Sequence, residues 1–419
     1  MRQPKLVCET WCVDASELER AYRAEATRLR ASLAARLGDV GLAEELVQDA
    51  FVEALEHWQS EGVPPNPGGW LFTTAWRKAI DRQRRAKASQ DKLALLAVTD
   101  ARSSPAEGLA GADDSQDDDM LSLVFACCHP ALPADSQVAL TLRAVCGLTT
   151  AEIAAAFLVQ DQTMGQRLSR ARRSLRETGV IVRVPDPDDL SERLAAVLAV
   201  VYLVFNEGYL ASAGRTPARR DLAAQAVALA RLLHRLMPRE PEVIGLLALM
   251  LLHESRAATR FDGWGRIVRL QDQDRARWDG AMVAEATRLL DRAVAMHDPG
   301  PYQVQAAIAA LHAAAPSYDH TDWLQIRLLY DRLQALAPSP IVLLNRAVAV
   351  RYEQGPEAAL ANVEPLDSEL ADYRLFHVVR AEFLTAVGRL DEARAANERA
   401  LALAENPAER ELIARRLSS

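Results

Sequence analysis

The sequence has little β-branched alternation. Alanine, leucine, arginine and glutamate dominate its 419 residues, which excludes a sheet-built core and predicts an almost wholly helical, all-α chain. Cysteine is sparse: five residues, an odd number without the spacing of a disulfide framework, point to a reducing, cytoplasmic setting. Long hydrophobic runs are missing. The longest, at 194–205 and 243–252, fall short of the ~20 residues that a membrane span needs, and they read as core helices. Residues 1–13 lack an apolar signal segment, so no membrane association is expected. Catalytic sets are lacking too. His253-Glu254 has no second histidine four residues on, no glycine loop is built to cradle phosphate, and no nucleophile stands with a base. Neither enzymatic turnover nor a cofactor is expected.

Cys8, Cys12 and the Cys127-Cys128-His129 cluster leave two readings open: a zinc site if the fold gathers them, or small buried apolar residues on helices. The second needs no coincidence of folding, so no metal is expected.

The formal net charge of −8 argues against nucleic-acid binding on average, but the average hides the distribution. Arg77, Lys78, Arg82, Arg84, Arg85 and Lys87 crowd a short segment with only Asp81 against them, and residues 163–176 hold five arginines and no acid. The segment 113–119, by contrast, is DDSQDDD.

Residues 16–88 read as one helical block. Leu42, Leu46, Ala50, Ala54 and Trp58, flanked by Val47, Phe51 and Leu55, form an apolar stripe, while Glu45, Gln48, Asp49, Glu53 and Glu56 fill the opposite face. QSEGVPPNPGGW is a loop, and a helix follows from about Trp70 with Phe72, Trp76, Ala79 and Ile80 inward and Arg77, Lys78, Arg82 and Arg85 outward. Such a basic, aromatic-bearing helix suits phosphate contact and base stacking, though a solvated face would read the same way. Residues 89–119 have little periodicity and are expected to be a flexible acidic linker.

From Met120 the helical pattern resumes. Pro133 and Gly147 frame one helix; Thr149 or Thr150, with Glu152, caps the next; LVQDQT is a turn. The helix after it turns Met164, Leu168, Ala171 and Leu175 inward and leaves Gln162, Thr163, Gln166, Arg167, Arg170 and Arg173 outside. That is the layout of a helix-turn-helix, whose second helix presents Gln and Arg to base edges in the major groove.

LAEELVQDAFVEALEHW, GGWLFTTAWRKAIDRQRRAK and LTTAEIAAAFLVQDQTMGQRLSRARRSLR resemble, in this order, regions 2 and 4 of the extracytoplasmic function (ECF) RNA polymerase sigma factors of the sigma-70 family, over about residues 16–182. The resemblance implies a region 2 helical bundle over 1–88 and a region 4 helix-turn-helix over 120–183. It implies two partners, promoter DNA and core RNA polymerase, with contacts to the β′ clamp and β flap. Glu45, Gln48, Asp49 and Glu53 match the polymerase-docking helix. Asn66, Trp70, Trp76, Arg77, Lys78, Arg82 and Arg85 match the segment that captures the −10 element. Gln162, Thr163, Gln166, Arg167, Arg170 and Arg173 match the −35 reader. Two features depart from the family pattern: Gly165 inside the recognition helix and a proline-rich 62–70 loop.

Ordinary members stop soon after region 4; here VPDPDDLSERL marks a boundary and residues 184–419 continue as helices. Several of their segments resemble the subgroup with a helical, TPR-like extension. Ala347 to Ala381 and Gly355 to Gly388 repeat at nearly the TPR period, so an αα-repeat is expected over about 300–419. The loop FDGWGRIVRLQDQDRARWD contains the one plausible hairpin. Its Trp264, Trp278, Asp272, Asp274 and Arg275 either flank a ligand or, in the plainer reading, pin the loop to the helices. Asn206-Glu207-Gly208 is expected to be a helix C-cap. The whole reads as an initiation factor tuned by its own extension through intramolecular contact with regions 2 and 4. The alternative is a free-standing helix-turn-helix regulator with a TPR-like sensor, to which residues 42–88 would be superfluous.

Overall fold

The computed structural model describes residues 15–90, 113–157, 159–209, 218–404 and 406–418. Among them are eighteen α-helices and no strand; Phe261 and Ile267 form an isolated antiparallel bridge. The chain divides into two compact units, residues 1–200 and 201–419.

The first unit opens with α1 (Ala15–Leu37), α2 (Val40–Glu61) and α3 (Pro67–Gln90). Gly38, at φ 68°, turns the chain where a side chain would be strained. Asp39 then caps α2, accepting the Gly41 and Leu42 N–H groups at 2.9 and 3.0 Å. The expected stripe is buried at Leu46, Val47, Ala50, Phe51, Ala54 and Trp58. Leu55 departs from it, 44% exposed beside Val52 at 57%.

Helix α4 runs Asp113–Cys127, seven residues further back than the Met120 start the sequence pattern predicts. The aspartates of 113–119 therefore belong to a helix, not to a flexible linker. Carboxylates in a first turn complement the helix dipole, which a composition-based reading of disorder overlooks. Asp119 at its side pairs with Arg36 of α1 at 3.2 Å. Residues 91–112, the rest of the expected linker, lie outside the described residues.

Next come α5 (Ala134–Ala144), α6 (Thr150–Ala156) and α7 (Asp161–Glu177). Helix α8 (Pro187–Tyr209) crosses from the first unit into the second. Asn206-Glu207-Gly208 lies inside α8 and is not a cap. Gly208 is there for close approach: a Cβ on it would stand 2.2 Å from the Ala223 backbone nitrogen.

The second unit continues through α9 (Arg220–Leu236), α10 (Pro241–Glu254), α11 (Gly280–Val294), α12 (Pro301–Ala314), α13 (Trp323–Leu336), α14 (Pro340–Gln354), α15 (Pro356–Val363), α16 (Arg374–Ala386), α17 (Leu390–Leu403) and α18 (Pro407–Ser418). Every residue of α10 from Val243 to Leu252 is buried, as expected of a helix apolar all round. No described helix is long and apolar enough to cross a membrane. The repeat seen in the sequence has a structural counterpart. The pairs α14–α15 and α16–α17 each turn on a glycine with positive φ, Gly355 at 98° and Gly388 at 80°. Ala347 and Ala381 are both buried in a shared core with Phe376, Phe383 and Leu384.

Candidate nucleic-acid interface

The helix-turn-helix is built as its sequence predicts. The Thr149 N–H donates to Glu152 Oε2 at 2.7 Å and the Glu152 N–H returns to Thr149 Oγ1 at 3.2 Å, a reciprocal cap that identifies Thr149 rather than Thr150 as the N-cap of α6. Ile153 and Ala154 are buried on α6, as are Met164, Leu168, Ala171 and Leu175 on α7. Phe157 is half-buried.

On the outer face of α7, Gln162, Thr163, Gln166, Arg170 and Arg173 are exposed. Arg173 forms only a loose pair with Glu177, at 3.7 Å. Arg167 is placed otherwise than its register implies: it is half-buried, with its guanidinium 5.3 Å from the Phe157 ring and 3.5 Å from Asp135.

In the first helices, Asn66 Oδ1 accepts the Gly69 N–H at 2.9 Å, so this residue caps α3. Trp70 packs edge-on against Trp58 at 5.5 Å, and Trp76 stacks on Phe72 at 6.0 Å. Arg77 and Arg85 are exposed, as is Arg84, and among the described residues none of the three joins an ion pair. Lys78 and Arg82 are paired, Lys78 with Glu53 at 2.8 Å and Arg82 with Glu45 at 2.7 Å. Two cations expected to face DNA thus hold two carboxylates expected to face a protein partner. Gln48 and Asp49 are exposed on α2, about one turn from Val52 and two from Leu55.

Sequence reasoning missed the residue that ties these helices together. Glu44 is 4% exposed and accepts from both Arg143 of α5 and Arg172 of α7. Arg176 of α7 reaches Asp39 at 2.9 Å. Two of the five arginines at 163–176, Arg172 and Arg176, therefore bind the helix-turn-helix to the N-terminus of α2. A signal existed. Glu44 shares its helical face with Val47 and Phe51, and a carboxylate within an apolar stripe demands a buried partner.

Cys127 and Cys128 are buried, and burial pushes both thiols up, that of Cys128 to about 11. His129 Nδ1 accepts the Ala131 N–H at 3.1 Å within a turn. Cys8 and Cys12 lie outside the described residues.

Residues 21–89 match the family Sigma-70 region 2, and residues 122–175 match Sigma-70, region 4. The chain belongs to the ECF sigma factors of the sigma-70 family. As an RNA polymerase sigma factor it directs transcription initiation. The region 2 match has no place in a free-standing helix-turn-helix regulator, the other reading of the sequence. The Mycobacterium tuberculosis (strain ATCC 25618 / H37Rv) protein named "Probable ECF RNA polymerase sigma factor SigI" is 28% identical over 165 residues, covering 39% of this sigma factor and 56% of its own length. "ECF RNA polymerase sigma factor SigL" of the same strain is 29% identical over 142 residues, 34% of this chain and 76% of its own. A Rhizobium meliloti (strain 1021) protein, "Uncharacterized protein R00370", is 48% identical over 374 residues, 88% of each chain. Beyond region 4, residues 193–294 of the sigma factor match a family of unknown function, DUF6596.

Within that stretch the loop after α10 is pinned by one of its tryptophans and not by the other. Trp278 is 9% exposed, with Arg256 and Arg275 over its ring at 5.7 and 4.9 Å, and Arg275 donates to the carbonyls of His312 and Ala315. Trp264 is 81% exposed at the tip of the hairpin closed by the Phe261–Ile267 bridge. Asp272 pairs with Arg269, and Asp274 caps the short turn at 275–277.

Proposed function

We propose that residues 1–88 engage core RNA polymerase and the −10 element, that residues 120–183 read the −35 element, and that residues 184–419 tune initiation by intramolecular contact. In this reading the linker's acidic end, 113–119, folds onto the first unit as part of α4. Polymerase docks on the outer face of α2, at the β′ clamp. Support comes from Val52 and Leu55, apolar side chains exposed among Glu45, Gln48, Asp49 and Glu56, a mixed face of the kind proteins bury against a partner. The β flap is the partner of region 4. Arg77 and Arg85, with Arg84, contact promoter phosphates around the −10 element, and Trp70 and Trp76 supply the aromatic surface.

The observation that carries the reading is the exposed Gln162-Thr163-Gln166 edge at the start of α7, where a recognition helix offers side chains to base edges. Arg170 and Arg173 follow it toward the backbone, and Arg167 steadies the helix on Phe157. The chain itself turns nothing over; catalysis belongs to polymerase, in the cytoplasm. The test is run-off transcription with purified core polymerase, comparing the full chain with chains ending at 182 and at 200. Tuning by the extension requires the full chain to differ from both truncations. Equal transcript from all three would refute it, and the chain ending at 200 keeps the Arg193 bond to the Phe125 carbonyl that ending at 182 removes.

A further inference from the structure

A cavity of about 540 Å³ lies within the second unit, walled by α10, α12, α13, α14 and the end of α8. Its volume is that of sites that take small molecules. Leu249, Leu252, Ile308 and Leu333 give it an apolar floor, and the rings of Tyr202 and Tyr330 stand in its wall. The pinned loop after α10 adds Leu270, so the fold that fixes Arg275 and Trp278 also closes this space.

The polar part of the lining is cationic. Arg256 lines the cavity and donates to Tyr209 Oη at 2.6 Å, with His253 Nδ1 3.1 Å away. Neither partner is a carboxylate. Arg260 lies over the Tyr209 ring and Arg275 over Trp278, so three guanidiniums gather beside the cavity. Among the described residues no carboxylate forms an ion pair with any of them; Glu254 acts on Arg260 only through its charge. Burial and this positive field push His312 down to about 4 and Arg260 down to about 10, and they hold His253 well below the usual imidazole range. A cluster of like charges beside an apolar, partly enclosed space is unfavourable until an anion enters it.

We propose that this cavity is a binding site for a small organic monoanion, its carboxylate held by Arg256 and its flat apolar body lodged among Tyr202, Tyr330 and the leucines. A free inorganic anion would leave the apolar floor unfilled, and an uncharged aromatic would leave the guanidiniums uncompensated. The inference concerns binding by the extension and does not depend on how the sigma factor reads promoters.

The experiment is calorimetric titration of the full chain with 2-naphthoate, with its uncharged analogue 2-naphthylmethanol, and with inorganic phosphate. One saturable naphthoate site per chain is expected, with the alcohol and phosphate each at least tenfold weaker. Arg256→Gln and Ala309→Phe, the second filling the cavity from α12 without touching Arg256, should each weaken naphthoate at least tenfold while circular dichroism stays native. If Arg256→Gln does not fold, Ala309→Phe decides. Absence of saturable naphthoate binding, undiminished binding by folded Ala309→Phe, or equal binding of the alcohol or of phosphate would overturn the proposal.

Discussion

Replacing Glu44 by glutamine keeps the shape of the side chain and removes the charge that both Arg143 and Arg172 seek. Arg143 retains its bond to the Leu148 carbonyl at 2.9 Å, while the Arg172 side chain, 24% exposed, can turn toward water. Breaking a fully buried pair by removing one partner costs ~3–5 kcal/mol, so this half-open clamp should lose about 2–3 kcal/mol. In a unit of 200 residues, that lowers the midpoint of thermal unfolding by ~4–12 °C. Because the chain has two units, the discriminating assay is native-state hydrogen exchange read by peptide. Protection should fall in α2, α5 and α7 and stay unchanged in α9–α18. Arg172→Ala should cost less, since Arg143 still holds Glu44. The double variant should show a coupling energy of ~1 kcal/mol or more. A change in protection below ~0.5 kcal/mol in Glu44→Gln would mean that the clamp does not hold the helix-turn-helix to α2.

Three further outcomes follow from the geometry. Gly165 has open space where a Cβ would be, so Gly165→Ala should stabilise α7 by ~0.5–1 kcal/mol in chemical denaturation; Gly208→Ala, with no room beside Ala223, should destabilise the second unit by several times that. His312 is held neutral by burial with a folded value of about 4, below its unfolded one near 6.5. Its contribution to stability is therefore present above pH 6.5 and is lost as pH falls toward 4, by up to ~3 kcal/mol, so the stability difference between the wild type and His312→Gln should shrink over that window. Gln166→Ala should relax base preference at one −35 position by ~1–3 kcal/mol in competition binding, whereas Arg173→Ala should weaken all sequences alike and flatten the salt dependence.

Much of the fold was legible because it rests on local rules. The Thr149–Glu152 cap, the four buried positions of α7 and the glycine turns at 355 and 388 each follow from residues a few places apart. What escaped depends on distance along the chain. Glu44 meets Arg143 and Arg172 from 99 and 128 residues away, and nothing in either segment names the other. Gly208 looked like a cap because the backbone it touches is brought there by tertiary packing. Asn66 was legible only as part of the segment matched to the −10 element, and its service to α3 depends on where that helix begins. The aspartates of 113–119 escape for a different reason: their composition reads as a solvated linker, whereas carboxylates at the start of α4 complement its dipole.

The Glu45–Arg82 and Glu53–Lys78 pairs bear on how α3 meets a polyanion. Cations that bind DNA usually gain from releasing small ions into bulk water, and the steepness of the salt dependence counts the phosphates neutralised. These two cations carry tethered counterions instead. When a phosphate displaces Glu45 or Glu53, the DNA still sheds its condensed cations, but the freed carboxylate stays on α2 a few ångströms away and holds cations near the interface, so the net release is smaller. The helix should therefore neutralise more phosphates than its salt slope reports, and cutting the tethers with Glu45→Gln and Glu53→Gln should steepen that slope.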